Sequence, residues 1–230
     1  MYAIQKVLDN LTQKEKLYCA IEVLRQIEFL LPKGGVGYKG TRLFKPKLIK
    51  DVFREKTQKF VLDSYSDKEY GKSMKETANP DLRLDLSHVN WHAYEDCFGT
   101  SEEKYLIRYI ESIYPKLTEK YEDIYLLRNE KDFKIYSLTS GDAYQPDYVL
   151  FLKKEKNEEK ADYIQIFIES KGEHLQATDK WKEDALKEIK SSADIQFSTQ
   201  DTNFNVWGMP FFTESNRQKF DGTMRESLKI

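Results

Sequence analysis

The run Tyr163-Ile164-Gln165-Ile166-Phe167-Ile168 restricts this chain more than any other stretch. Successive strand side chains point to opposite faces, and here both sets are apolar apart from Gln165, so a strand built from it is buried on both sides. Such a strand lies inside a sheet with covering layers, the arrangement of α/β domains. The run ends in Glu169-Ser170-Lys171. Glu169 and Lys171 are two apart and emerge on one face, at the end of a central strand, where charges without a task are costly.

The neighbouring segments supply the layers. Thr100 and Glu103 form a capping box, and Leu106, Ile107, Ile110, Ile113, Tyr114 and Leu117 share one face of the helix that follows, which closes near Lys120. Short strands are predicted over 124–127 and 133–138, separated by the polar turn 128–132, and again over 148–152. The charged segment Lys153 to Lys160 reads as a solvated hairpin loop. Asp179 can cap a helix carrying Trp181, Ala185, Leu186 and Ile189, and Phe204 to Phe212 supplies a last strand or strand pair. A helix between strands allows a parallel crossover while the earlier turns favour antiparallel pairing, so the sheet is mixed.

The N-terminal part is patterned differently. Ile4, Val7, Leu8 and Leu11, then Leu17, Ile21, Leu24 and Ile27 behind a Thr12/Glu15 capping box, predict a helical pair. A Gly-rich stretch over 32–40 and a basic and apolar mixture over 44–62 follow, and the polar segment 64–85 reads as a surface excursion or linker. The division expected is a mainly helical accessory region over 1–95 and an α/β domain over 96–230.

Asp147 opens the strand before the central run, directly after Pro146. A hairpin register pairing the two strands sets its carboxylate beside that of Glu169. Two adjacent, partly buried carboxylates repel unless a cation lies between them. With oxygen ligands alone, that cation is a hard one such as Mg²⁺, with Mn²⁺ able to substitute, and such an ion also accepts phosphate oxygens. Lys171 would orient or help deprotonate an attacking water and offset charge developing on the phosphoryl group, which makes the reaction class phosphodiester hydrolysis. A Glu-x-Lys pair in isolation is an ordinary solvated ion pair; its place behind a doubly apolar run and opposite Pro146-Asp147 favours chemistry. Glu103, three and four residues before Leu106 and Ile107, can reach the site as a third acid, and its capping-box role accounts for it equally well.

Composition sets outer limits. Lys and Arg number 37 against 39 Asp and Glu, a net charge of −2, without the global basicity of many nucleic-acid binders. Cys19 and Cys97 have no metal-ligand spacing, which excludes a sequence-local zinc site or disulfide framework and fits a reducing, cytoplasmic setting. No apolar stretch approaches the roughly 18 residues of a membrane helix, and no signal-peptide layout opens the chain. Gly35, Gly37 and Gly40 fit a dinucleotide fingerprint but follow a helix and a proline. His88 and His92 lack a third zinc ligand. His174, just past the site, and Lys180 and Lys182, which flank Trp181, are candidate DNA contacts, although loop histidines and helix lysines are commonly just solvated.

The segments FGTSEEKYLIRYI, YEDIYLLRNEKDFKIY, QPDYVLFLKK, YIQIFIESKGEHL and DKWKEDAL, in order between Phe98 and about Trp207, resemble the C-terminal endonuclease domain of the restriction subunit of type III restriction-modification enzymes. That domain belongs to the PD-(D/E)xK superfamily. The resemblance implies a restriction-endonuclease-like core, a mixed central sheet flanked by helices, and a site-specific endodeoxyribonuclease acting in defence against foreign DNA. By it Asp147, Glu169 and the Ser170 carbonyl hold Mg²⁺, Lys171 is the catalytic lysine and Glu103 is the acid of the first core helix. Where the family commonly has Pro between acid and lysine stands Ser170, a position expected to contribute only its carbonyl. The implied partners are double-stranded DNA, a helicase/ATPase portion of the same parent protein and a methyltransferase subunit. ATP enters only through that motor: Gly71-Lys72-Ser73 has Ser66 where a phosphate loop needs its leading glycine, so the chain is expected to be a fragment or a separated nuclease portion. Two other functions fit the same residues, a catalytically silent docking or DNA-binding module and a repair or recombination nuclease of the same fold.

Overall fold

A computed structural model describes residues 12–30, 43–44, 47–53, 67–157, 160–172, 178–191, 196–197 and 203–230, and the chain divides into two units, Met1–Tyr38 and Lys39–Ile230. In the first, the Thr12 N–H donates to Glu15 Oε2 at 2.8 Å and the Glu15 N–H to Thr12 Oγ1 at 3.3 Å. This reciprocal cap starts helix α1, Gln13–Leu30, along which the expected apolar set Leu17, Ile21, Leu24 and Ile27 is exposed. The helix expected over 4–11 and the Gly-rich run with Gly35, Gly37 and Gly40 lie outside the described residues.

The second unit carries, in chain order, β1 (Leu43–Phe44), α2 (Ile49–Val52), α3 (Ser101–Thr118), β2 (Asp123–Arg128), β3 (Ile135–Tyr136), β4 (Ala143–Tyr144), β5 (Tyr148–Asn157), β6 (Lys160–Ile168), α4 (Lys180–Ser191), β7 (Gln196–Phe197), β8 (Asn203–Gly208) and α5 (Arg217–Leu228). Helix α3 begins where the sequence predicts, with the Thr100 N–H donating to Glu103 Oε2 at 2.7 Å and the Glu103 N–H to Thr100 Oγ1 at 3.4 Å. The central sheet has strand order β2-β5-β6-β8. The first three strands pair antiparallel, and β8 returns parallel to β6 after α4, which gives a mixed α/β architecture. Two small sheets, β1-β7 parallel and β3-β4 antiparallel, lie beside it.

Strand parity sorts the sheet's side chains. Tyr148, Leu150 and Leu152 of β5 stand opposite Ile168, Ile166 and Ile164 of β6, and all six join Leu106, Ile107, Ile110, Ile113 and Leu117 of α3 in one buried cluster, completed by Phe220, Met224 and Leu228 of α5. At about 1.5–3 kcal/mol per fully buried aliphatic or aromatic side chain, this is the principal stabilising mass of the unit. The opposite parity, Val149 and Phe167, meets Ala185, Leu186 and Ile189 of α4. A methyl group at Gly208 would lie 2.1 Å from the Leu186 carbonyl oxygen and 2.7 Å from its Cα, so α4 rests directly on β8.

Four expectations are corrected. From residue 67 to 85, the polar stretch expected as a linker or excursion is irregular but packed: Met74 belongs to the α3 cluster with Leu84 packed against it and Leu82 is buried, as are Leu86, Trp91 and Cys97 just beyond it. Its polar groups serve internal bonds. Asp67 Oδ2 accepts from the Ser101 N–H at 2.8 Å, and the fully buried Lys104 ammonium donates to the Glu69 carbonyl at 2.8 Å. The charged segment 153–160 is mostly strand, with a register shift between Glu155 and Asn157, because main-chain pairing does not need apolar side chains. Of 133–138 only Ile135–Tyr136 is strand. Finally, residues 217–228, for which no element was expected, form α5, which follows a short 3-10 turn, Glu214–Asn216, closed by a Thr213/Asn216 capping box. Among the described residues no helix is long and apolar enough to cross a membrane.

Candidate active site

One step beyond the Tyr148–Ile168 pair, Asp147 stands across from Glu169 on the α4 side of the sheet. Glu169 is buried and Asp147 half-buried. The Asp147 N–H donates to Glu169 Oε2 at 3.0 Å, and Asp147 Oδ2 accepts from both the Ser170 N–H and the Ser170 hydroxyl at 2.9 Å. Lys171 Nζ lies 2.9 Å from Glu169 Oε1 and 2.9 Å from Asp179 Oδ2. The structure thus brings Asp147, Glu169, Ser170 and Lys171 into one cluster.

The end of β6 is braced from its other side. The Phe212 N–H donates to the Glu169 carbonyl at 2.9 Å and the Lys171 N–H to the Phe212 carbonyl at 3.0 Å, a parallel bridge centred on Ser170. Main-chain N–H and C=O of one extended residue point to the same side, so the Ser170 carbonyl faces Asp147 as its N–H does. Ser170 was expected to contribute only that carbonyl. It also supplies two hydrogen bonds to Asp147, one through the N–H that proline lacks.

Burial, then the Glu169 and Glu103 charges, push Asp147 well above the ordinary carboxylate range, against the pull of Lys171 and the Ser170 hydrogen bond. Glu169 is raised by burial, with Lys171 and Lys182 opposing. For Lys171 burial works against the ammonium, but Glu169 and Asp179 outweigh it and raise its pKa. Among the described residues no three His, Cys, Asp or Glu side chains are grouped to hold a metal. The donor set on offer is two carboxylates and a main-chain carbonyl, all hard oxygens, and it fits an ion such as Mg²⁺ that retains several waters.

Glu103 is held apart from this cluster. Its Oε2 closes the α3 cap, and its Oε1 accepts from Arg128 Nε at 2.9 Å and Nη2 at 2.7 Å. Its charge reaches Asp147 through space. A methyl group at Gly99 would lie 2.3 Å from Glu103 Oε2, so the glycine makes room for the carboxylate. Arg128 was not expected at the site; 25 residues separate it from Glu103, and no local pattern signals such a pair.

Of the candidate DNA contacts, His174 lies outside the described residues. Lys180 pairs with Asp184 at 2.6 Å on an exposed face, whereas Lys182 turns inward to Asp179 Oδ2 at 3.0 Å. Trp181 is partly exposed and meets the ring of Tyr144 edge-on at 5.9 Å. Asp179 was expected only as a helix cap. Among the described residues the buried Tyr144 hydroxyl has no hydrogen-bond partner, and burial followed by the Glu169 and Glu188 charges raises its pKa.

Three comparisons bear on this site. The family model HI_1054_C, described as a C-terminal domain, matches residues 37–225, a span that contains every described residue of the cluster. An uncharacterized protein of Haemophilus influenzae is 31% identical over 216 residues, which cover 90% of this chain and 43% of the relative. The chain therefore spans less than half the length of that relative. No solved structure matches the chain.

Proposed function

We propose, on the premise that the chain belongs to the HI_1054_C family, that it is a PD-(D/E)xK nuclease that hydrolyses DNA phosphodiester bonds with Mg²⁺. One observation carries this reading: Asp147 lies opposite Glu169 at the end of the central strand, with Ser170 bonded to the first carboxylate and Lys171 to the second. Burial and then the Glu169 charge raise the proton affinity of Asp147, and burial raises that of Glu169, a cost to folding that a cation removes.

Asp147, Glu169 and the Ser170 carbonyl would hold the ion. A divalent cation there supplies Lewis acidity and positive charge against the phosphoryl oxygens. Lys171 holds its proton, so its ammonium orients the attacking water and neutralises charge that gathers on the phosphoryl group as the new P–O bond forms and the ester P–O bond breaks. Glu103, locked to Arg128, contributes field and helix start, not a ligand. The ordered segments that resemble type III restriction subunits support double-stranded DNA as substrate. They also support a helicase/ATPase portion and a methyltransferase subunit as partners and ATP use through the motor alone, while Cys19 and Cys97, without zinc or disulfide spacing, support a reducing, cytoplasmic setting.

The test is incubation of supercoiled plasmid with the chain, alone and with its longer parent assembly, in Mg²⁺ and in EDTA, alongside calorimetric titration of the chain with Mg²⁺ and Mn²⁺. Nicked or linear product that requires the metal, with cation binding lost in Asp147→Asn, is the expected result. Equal cation affinity in parent and Asp147→Asn would remove the metal role, and metal-independent or absent cleavage in the assembly would remove the nuclease.

A further inference from the structure

Asp179 sits immediately before the first residue of α4, where a capping residue is expected. Its Oδ2 is shared between two ammonium groups, Lys171 Nζ at 2.9 Å and Lys182 Nζ at 3.0 Å. The four side chains form a line, Glu169, Lys171, Asp179 and Lys182, whose exposure rises from 3% through 15% and 21% to 24%. It runs from the strand end to the surface.

An ammonium group on a flexible four-carbon stem is a poor fixed point unless its donors are engaged. Lys171 has three N–H donors, and Glu169 alone would leave it free to rotate about that one contact. Asp179 grips it from the far side, and α4 is in turn held to the sheet by the Phe211 N–H donating to Glu183 Oε1 at 3.2 Å. Burial opposes the charge on Asp179, but its bonds to Lys171 and Lys182 outweigh that and lower its pKa, so the grip is ionic at neutral pH.

We propose that Asp179 is a positioning residue that fixes the Lys171 ammonium against Glu169 and ties it to Lys182. Lys182 is the outermost member, so a phosphate of bound DNA that drew it away would return the whole Asp179 charge to Lys171. The position of the reacting lysine is thereby coupled to occupancy of the surface beside it. This rests on the nuclease reading for its catalytic consequence, while the positioning itself is open to measurement without turnover.

The experiment uses the 230-residue chain and Asp179→Ser, Asp179→Glu and Lys182→Gln. Serine keeps a good helix cap and removes the charge. An ammonium held in hydrogen bonds exchanges its protons slowly enough to give a side-chain ¹H–¹⁵N signal. That signal for Lys171 is expected in the metal-free parent and in Lys182→Gln, to be lost in Asp179→Ser, and to return in Asp179→Glu. A signal unchanged in Asp179→Ser, or absent from the parent, overturns the positioning role, whatever the chain does to DNA. In the cleaving assembly kcat is expected to fall about 10- to 100-fold in Asp179→Ser with KM unchanged, the scale of a misplaced reacting group. Parental kcat in a protein that has lost the Lys171 signal overturns the catalytic consequence alone.

Discussion

The two faces of the central sheet are made of the same strands and do different work. On one, α3, α5 and the irregular stretch from Met74 to Cys97 seal a continuous apolar cluster against Tyr148, Leu150, Ile166 and Ile168. On the other, a smaller cluster under α4 borders an open apolar groove of about 550 Å³ lined by Phe133, Phe151, Tyr163, Phe167 and Val206 among others, and that face carries Asp147, Glu169 and Lys171. The strands are stabilised from the sealed face, so the other face tolerates charges that oppose folding. The main core and the proposed chemistry are separated by strand parity, since neighbouring residues on one strand point to opposite faces.

That separation can be broken from either side. The largest effect on folding is expected from Ile110→Ala, which opens a cavity in the sealed cluster and should cost about 2–5 kcal/mol in urea unfolding, with cleavage per folded molecule retained. Loss of cleavage without loss of stability would contradict the division. Lys171→Ala is its counterpart. Cleavage in the assembly should fall on the order of 100-fold or more while the protein stays folded with a lowered melting temperature, because the Lys171 ammonium, its pKa raised against burial by Glu169 and Asp179, offsets buried carboxylate charge that alanine would leave unpaired. Parental cleavage by folded Lys171→Ala protein would end the proposed mechanism.

Smaller effects sharpen the comparison through pH. The raised pKa of Asp147 means that the folded state binds its proton more tightly than the unfolded chain does. Its stability contribution is full below the unfolded value and is lost as pH rises through the folded one. Asp147→Asn should therefore match the parent in acid and exceed it at neutral pH without metal, and Mg²⁺ should narrow that gap. Asp67, under the first turn of α3, has the opposite sign. Burial opposes its charge, but the Ser101 hydroxyl and main-chain bonds lower its pKa, so its contribution is present above the unfolded value and lost as pH falls through the folded one. Asp67→Asn should cost about 0.5–1.5 kcal/mol near neutrality and nothing in strong acid. Melting curves of both variants from about pH 3 to 8 check the pair; parallel pH dependence in the two would refute the assignment of faces.

How much of this was legible in the sequence follows the range of each signal. Thr100 with Glu103 and the apolar spacing from Leu106 to Leu117 are local, and α3 stands where they put it. Parity is also local, so the shared face of Glu169 and Lys171 could be read directly, and the hairpin register brought Asp147 with them. The stretch from residue 67 to Cys97 could not be read this way. Met74, Leu86 and Trp91 enter the core from turns with no period, and the polar residues that suggested solvent are bonded inward. Arg128 and Glu103 meet only because β2 lies beside α3, and Asp179 looked like a cap because a cap and an ion-pair partner are both carboxylates at a helix start. Helix α5 did leave a trace in Phe220, Met224 and Leu228, four apart and buried, a face too short to stand out among charged neighbours.

Gly208 acquires a meaning in this light that concerns inheritance more than packing. Leu186 rests on it with no room for a methyl group, so the separation of α4 from the sheet is a reference length written into the chain by an absent atom. Any side chain there would act as a wedge, tilting the helix that delivers Asp179 and Lys182 while every charged group stayed intact. Under the proposed reading, a lineage could silence the site by one such change with Asp147, Glu169 and Lys171 still in place. An inventory of those residues would then report a working enzyme where the ruler had been altered.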